Sequence, residues 1–421
     1  MAKVVEVFTP NDVPTFTYVD RPTQKLEQRL AEAFQIPKMI VSLSGPSKSG
    51  KTVLVNKVVE KDNLIPLSGA SIRSADELWR KVLGWMESPV AVGEKSSIAT
   101  KGEATVKAGG KAGIPLIVEG TTEGAGTIGR TSTHEEIKEH VVDGLQQVVR
   151  EIGNSSFVVF IDDFHYIPKS AQVEIGRQVK EATEAGVRIC TASVPHRADD
   201  VVRSNTELRG RVAGVDLAYW KSDELEQIGH LGFRELNIDV APTVLTKLST
   251  EAFGSPQLMQ AICLNFCFEN QILSSLESQT RIEMDFVALQ NVLERTSTLT
   301  NFSSMISTLH SGPRQRGMER KEFEFSDGTR GDVYRCVLLA MKADPPRLAF
   351  KYDEMLRRTQ SICRGDSPVG SSVAQCLSQM DKLAGLVQEA PVIEWDEDVL
   401  DIVEPYFLFY LRCSPHLAAL A

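Results

Sequence analysis

Short apolar runs and longer helical periods alternate along the chain, and their order predicts the architecture. Residues 39–44 (MIVSLS), 157–161 (FVVFI), 187–193 (VRICTAS) and 212–220 (VAGVDLAYW) have the length and composition of strands. The unbroken apolar run from Phe157 to Ile161 fits a strand buried on both faces of a parallel sheet. Residues after Thr52 (VLVNKVVEK) read as a helix, and a polar helix leads from RADDVV into the strand at 212. From 222 to 297, apolar positions recur at helical spacing, as in SDELEQIGHLGF and VAPTVLTKLSTEAF. Past residue 331 come three more helical patterns, DVYRCVLLAMKA, YDEMLRRTQSIC and SSVAQCLSQMDKLAGL. VIEWDEDVLDIVEPYFLFYLR then supplies two strands around an acidic turn. Strands interleaved with helices at the start and helices thereafter predict an α/β core with a helical appendage.

The strand at 39–44 runs straight into Gly45-Pro46-Ser47-Lys48-Ser49-Gly50-Lys51-Thr52, and a helix follows. This matches GxxxxGK[ST] in the strand–loop–helix setting that wraps backbone N–H groups around phosphates. In that loop the Lys51 ammonium reaches the β- and γ-phosphates of ATP, and the Thr52 hydroxyl coordinates Mg²⁺. The strand at 157–161 ends in Asp162 and Asp163, at the edge where open α/β sheets bind ligands. Asp162 is expected in the Mg²⁺ shell and Asp163 as the carboxylate that orients or deprotonates the attacking water. Thr191 and Ser193 close the next strand, where a polar residue either senses the γ-phosphate or simply ends the strand.

Composition narrows the class. The 421 residues are 42% hydrophobic and 24% charged, as in globular proteins rather than disordered or fibrous ones. At 46 Lys and Arg against 56 Asp and Glu, the net charge is −10. That balance argues against broad, non-specific binding to nucleic-acid phosphates. No run approaches the roughly 18 apolar residues of a membrane span, so no membrane partner is expected. MAKVVEVFTPND has no secretory h-region. The seven Cys are scattered without a CxxC pair, which favours buried thiols in a reducing cytoplasm over zinc ligands.

The order of these motifs resembles the AAA+ and STAND P-loop ATPases, including relatives of origin-recognition and archaeal STAND type. The resemblance spans nearly the whole chain. TYVDR (17–21) resembles the group's hhGR-like motif beside the adenine, which puts Arg21 at the nucleotide, although Asp20 stands where Gly is usual. FGSPQLMQ (253–260) resembles the STAND GxP segment through Gly254 and Pro256. Gln257 falls where many AAA+ proteins carry a sensor arginine, which implies slow hydrolysis. Arg211 in LRGRV, with Arg209 behind it, matches the arginine that reaches a neighbouring subunit's nucleotide. The IDDFH strand end is similar to the DD pair of STAND switches.

The resemblance implies a parallel-sheet P-loop NTPase core (1–221), a helical lid (222–309), a linker (310–330) and a winged-helix-like domain (331–421). It implies an ATP- and Mg²⁺-dependent switch that forms a homo-oligomer when ATP-bound and acts through an unidentified effector protein, as in bacterial defence or signalling. A DNA-binding ATPase of replication-initiator or transposition-regulator type is the alternative. Against DNA, residues 321–421 carry 11 Lys and Arg but 16 Asp and Glu, a net of −5, and the would-be wing EWDED is acidic. Arg314, Arg316, Arg320 and Lys321 are the densest basic run. Segment 93–133, dominated by Gly, Ala, Ser and Thr, lacks aromatics, and reads as a flexible excursion or a projecting hairpin.

Overall fold

Alternation of bulky apolar side chains builds a central sheet in the computed structural model, which describes residues 1–21, 23–87, 144–194, 208, 210–314, 320–388, 392–396 and 398–420. Segment 93–133, the polar helix expected ahead of residue 208, Arg209 and Arg316 lie outside the described residues. The strands are β1 (Ile40–Ser44), β2 (Leu64–Ser68), β3 (Val158–Asp162), β4 (Arg188–Ser193) and β5 (Val212–Asp216). They pair in parallel in the order β2-β3-β4-β1-β5. β2 is absent from the runs singled out above, because Pro66 and Ser68 break its apolar pattern.

Successive strand residues point to opposite faces, and the core divides accordingly. Val159, Ile161, Ile65 and Ile189 pack with helices α3 (Ala75–Trp85), α4 (Gly144–Ile152) and α5 (Lys169–Glu184) through Trp79, Val148 and Val179. Val158, Phe160, Val41 and Leu43 face α1 (Leu26–Gln35) and α2 (Lys51–Val58) through Leu30 and Val55. The result is a helix–sheet–helix sandwich, whose parallel strands bring Ser44, Asp162 and Ser193 to one edge.

Helices α6 (Ser222–Glu235), α7 (Pro242–Glu251), α8 (Pro256–Glu269) and α9 (Phe286–Ser297) occupy the region expected to be a helical lid. It also holds a small parallel pair, β6 (Ile238–Val240) and β7 (Thr280–Ile282), too short for any period to register. Val4, Val7 and Phe8, expected within the nucleotide-binding unit, are buried in this lid core instead. Phe8 explains Gly232, where a Cβ would come 2.3 Å from its ring.

Farther along come α10 (Ser303–Ser311), the hairpin β8 (Phe323–Glu324) and β9 (Arg330–Gly331), and α11 (Val333–Lys342). All of the hairpin but Gly331 therefore falls inside the stretch expected as a linker, anchored by the buried Phe325. Strands β10 (Ala349–Lys351), β11 (Ile393–Asp396) and β12 (Val399–Ile402) make an antiparallel sheet in the order β10-β12-β11. Helices α12 (Tyr352–Ile362) and α13 (Gly370–Val387) lie between its strands in sequence. EPYFLFYLR, read above as the end of a stretch of two strands, holds no strand and forms helix α14 (Pro405–Cys413), with Glu404 as its cap. Its Pro405, at the helix start, is where a missing N–H costs nothing.

Helix α14 ties this C-terminal unit to the lid. Arg412 meets Glu251 of α7 at 2.8 Å, with side chains only 9% and 3% exposed. Phe409 packs against Phe253, with ring centroids 6.4 Å apart and the planes tilted by 59°. One continuous apolar core runs from Leu258 and Phe266 of the lid to Leu377 and Phe407.

Candidate nucleotide site

A cavity of about 650 Å³ opens at the carboxyl edge of β1 and β3. Its floor is the glycine loop. Gly50 adopts φ +96°, a left-handed conformation that favours glycine, and starts α2 at Lys51. At Gly45 a Cβ would meet Leu217 Cβ at 2.8 Å, so the loop passes close beneath the segment after β5. Ser47, Lys48, Ser49, Gly50, Lys51 and Thr52 line the cavity, so the amino end of α2 faces into it. Gly45 and Pro46 enter through their carbonyls, which accept the Lys51 ammonium at 2.8 Å each. Burial lowers the Lys51 pKa, and Asp162 and Asp163 oppose that shift.

The two acidic residues are placed by β3 and the turn after it. Thr52 Oγ1 donates to Asp162 Oδ2 at 2.5 Å, which brings the loop hydroxyl and the strand carboxylate together. Asp162 Oδ1 accepts the Asp163 N–H at 3.0 Å. Burial raises the Asp162 carboxyl above its ordinary range, and the Thr52 bond resists the shift. Asp163 turns the chain with φ 53°, and Gly69 makes room for it, since a Cβ there would sit 2.3 Å from the Asp163 carbonyl. Ser193 ends β4, where its carbonyl accepts the Gly45 N–H at 3.2 Å. The hydroxyls of Ser49 and Ser193 are buried with no hydrogen-bond partner among the described residues. Such orphaned groups are costly unless something polar joins them.

The facing wall comes from remote segments. Arg21 is 6% exposed and forms a two-pronged ion pair with Glu224 of α6, both bonds 3.0 Å. Its guanidinium lies 4.8 Å from the centre of the Trp220 ring. Trp220 in turn donates to the Ser49 carbonyl at 3.0 Å. β5 stops at Asp216, short of the strand expected to reach 220: Leu217 N–H makes a last bond to the Ser44 carbonyl, and the chain then crosses the loop, where Trp220 meets Ser49. Pro256 opens α8 on the cavity, while the neighbouring Ser255 caps that helix and donates to the Lys48 carbonyl at 3.4 Å. Gln257, also on the cavity wall, donates to Asn11 at 3.1 Å.

Glu404 completes the enclosure from the C-terminal unit. Its Oε1 accepts the Tyr406 N–H at 3.1 Å, and its Oε2 accepts from Ser47 Oγ at 3.5 Å. Desolvation raises its carboxyl pKa, with Lys48 opposing and Asp163 reinforcing the shift. Trp220, Ser255 and Glu404 escape sequence reasoning, although Ser255 carries a legible signal as a Ser before a Pro-initiated helix.

Arg211 is not in this cavity. Its carbonyl accepts the Ile40 N–H, at the amino end of β1 and hence the opposite end of the sheet from the loop. Its exposed guanidinium pairs with Glu184. Among the described residues no three His, Cys, Asp or Glu cluster as a metal cage, and no helix is long and apolar enough to cross a membrane. All seven cysteines are free thiols, five of them buried and Cys363 and Cys413 half-buried.

A parallel sheet with a glycine loop after β1 and paired carboxylates after β3 defines the P-loop NTPase fold. Among solved structures, a Walker-type ATPase of Pyrococcus abyssi is similar, with a TM-score of 0.52 and 15% identity over 96% of this chain and 99% of that one. Cdc6p of Pyrobaculum aerophilum has a TM-score of 0.44 and 12% identity over 100% of both chains. The ORC2 protein of Aeropyrum pernix, solved in ADPNP–ADP complexes, has 0.48 and 11%, over 99% of this chain and 98% of that one. The first of these likenesses shows the fold. No family model and no curated protein matches the chain.

Proposed function

We propose that this chain is a Mg²⁺-dependent ATPase of AAA+/STAND type, a switch whose lid and C-terminal unit respond to the nucleotide. The observation that carries this reading is the 2.5 Å bond between Thr52 and Asp162 beside the Lys51 ammonium. A hydroxyl and one carboxylate are the hard oxygen donors Mg²⁺ accepts when phosphates and water complete its shell. Bound there, Mg²⁺ would neutralise charge developing on the phosphates. Lys51 would exchange two neutral carbonyls for phosphate oxygens, which make stronger, charge-assisted bonds. Asp163 would orient the attacking water, and Ser49 and Ser193 offer unused hydroxyls at the same edge. Arg21 supports the adenine side of the cavity by holding Trp220 and the lid, with Pro256 beside the loop. With Gln257 in place of a cation, turnover would be slow.

Arg211, exposed and remote from its own loop, is free to serve a second copy if it leaves Glu184. The C-terminal unit would act as a winged-helix-like contact for a protein effector. DNA is disfavoured for a further reason. Arg320 is paired with Asp332 at 2.6 Å and Lys321 with Asp366 at 2.9 Å, which neutralises half of the basic run at 314–321.

Particle mass by light scattering, in ADP and then in a slowly hydrolysed ATP analogue, tests the switch. The expected result is a defined oligomer with the analogue alone, lost in Lys51→Ala and in Arg211→Ala. A mass unchanged by the analogue in the unsubstituted protein would sink the assembly reading.

A further inference from the structure

Glu404 is not explained by nucleotide binding as such. It is an acid placed by the C-terminal unit against a loop built to receive anions. Its Oε2 takes a hydrogen bond from Ser47, and it feels the charges of Lys48 and Asp163 at once. It lines one cavity with the glycine loop and with Asp162 and Asp163 at the end of β3 and the turn after it, where the terminal phosphate of a bound nucleotide would carry its charge. The fold holds it there firmly. It caps α14 through the Tyr406 N–H, and α14 is fastened to the lid by Arg412 and Phe409.

We propose that Glu404 is a specificity-determining residue of the nucleotide site, which sets the preference between nucleoside di- and triphosphates while the C-terminal unit is docked. This rests on the reading of the cavity as an ATP site. The carboxylate competes with phosphate oxygens for Ser47 and Lys48, and it repels each negative charge brought into the same low-dielectric cavity. A triphosphate adds one phosphate beyond a diphosphate, so the docked form favours the diphosphate. A triphosphate correspondingly favours release of Glu404 from the loop, and with it α14 and the lid to which α14 is fastened. A ligand shifts a two-state equilibrium only through such a difference in affinity. The C-terminal unit thus reads nucleotide state through one carboxylate.

Glu404→Gln is the discriminating variant, because the amide oxygen keeps the Tyr406 cap and the shape of the side chain while the charge is gone. A melting curve equal to that of the unsubstituted protein establishes that the fold is kept. Affinities for ATP and ADP, each with Mg²⁺, are then measured on the full chain by calorimetry. The substitution is expected to strengthen ATP binding about tenfold and ADP binding less than threefold, lowering the Kd ratio of ATP to ADP. An unchanged ratio overturns the proposal, even if both affinities move together. Failure of the underlying reading looks different, since the unsubstituted protein would then bind neither nucleotide, or would bind both as tightly as Lys51→Ala does.

Discussion

One wall of the cavity is a single unbroken stretch of the glycine-loop motif, Ser47 to Thr52, whereas the facing wall gathers Arg21, Trp220, Pro256 and Glu404 from four distant stretches of chain. The first wall is built from one local segment. It is set between β1 and α2 within a five-stranded sheet, and its left-handed turn at Gly50 is fixed by local sequence. The second exists only while the lid and C-terminal unit are folded against the loop, through bonds such as Trp220 to Ser49 and Ser47 to Glu404. On the proposed reading, the chemistry would belong to the motif wall and the response to the nucleotide to the assembled wall.

Substitutions separate the two. Asp163→Asn, in the turn after β3 beside the motif wall, should have the largest effect, lowering the hydrolysis rate by roughly 10²- to 10⁴-fold while leaving ATP affinity nearly intact. Retained turnover in that variant would move the water-orienting role to another group. On the assembled side, Arg412→Met removes one partner of a buried ion pair. Such a loss ordinarily costs ~3 kcal/mol or more, but Lys247 stands 3.1 Å from the same Glu251 carboxylate and remains to pair it. A destabilisation of about 2 kcal/mol is expected, read as a lower midpoint in urea with the glycine loop unaltered. An unchanged midpoint would mean that the apolar core alone joins α14 to the lid.

The same contrast explains what could be read in the sequence. Strands β1, β3 and β4 and the loop they carry are legible because each is a local pattern, an apolar run followed by residues whose chemistry is specific. Lys51, Thr52, Asp162 and Asp163 come together as that pattern implies. Arg21 also reaches the cavity, but its partner Glu224 is 203 positions away and no local period announces the pairing. β2 was hidden by Pro66, and β6 and β7 by their length of three residues each. Val4 and Phe8 look like an ordinary amphipathic start, and only the tertiary fit against Gly232 assigns them to the lid. Glu404 is the plainest case, since an acid ahead of Pro405 reads as nothing more than a helix cap, which it also is.

The smallest expected effect sharpens the comparison most, because it titrates the assembled wall without a mutation in the motif wall. The Glu404 carboxyl is raised above the usual carboxylate range, so the docked form binds its proton more tightly than the released form does. The contribution of docking to stability is then fully present below the ordinary glutamate pKa and falls away as pH rises through the raised one. Lys48, Asp163, Tyr219 and Tyr406 face the same carboxylate. Burial pushes both tyrosines far above this window, and they stay neutral throughout it. Neutralising Glu404 removes its repulsion of the triphosphate, so the Kd ratio of ATP to ADP should narrow as pH falls, by about threefold or less. Protonation of the nucleotide and of Asp162 changes both affinities over part of the same range, so the decisive quantity is the difference between the unsubstituted protein and Glu404→Gln. The two ratios should converge toward low pH and diverge above it, whereas parallel curves would show that the acid facing the loop carries no information about the nucleotide.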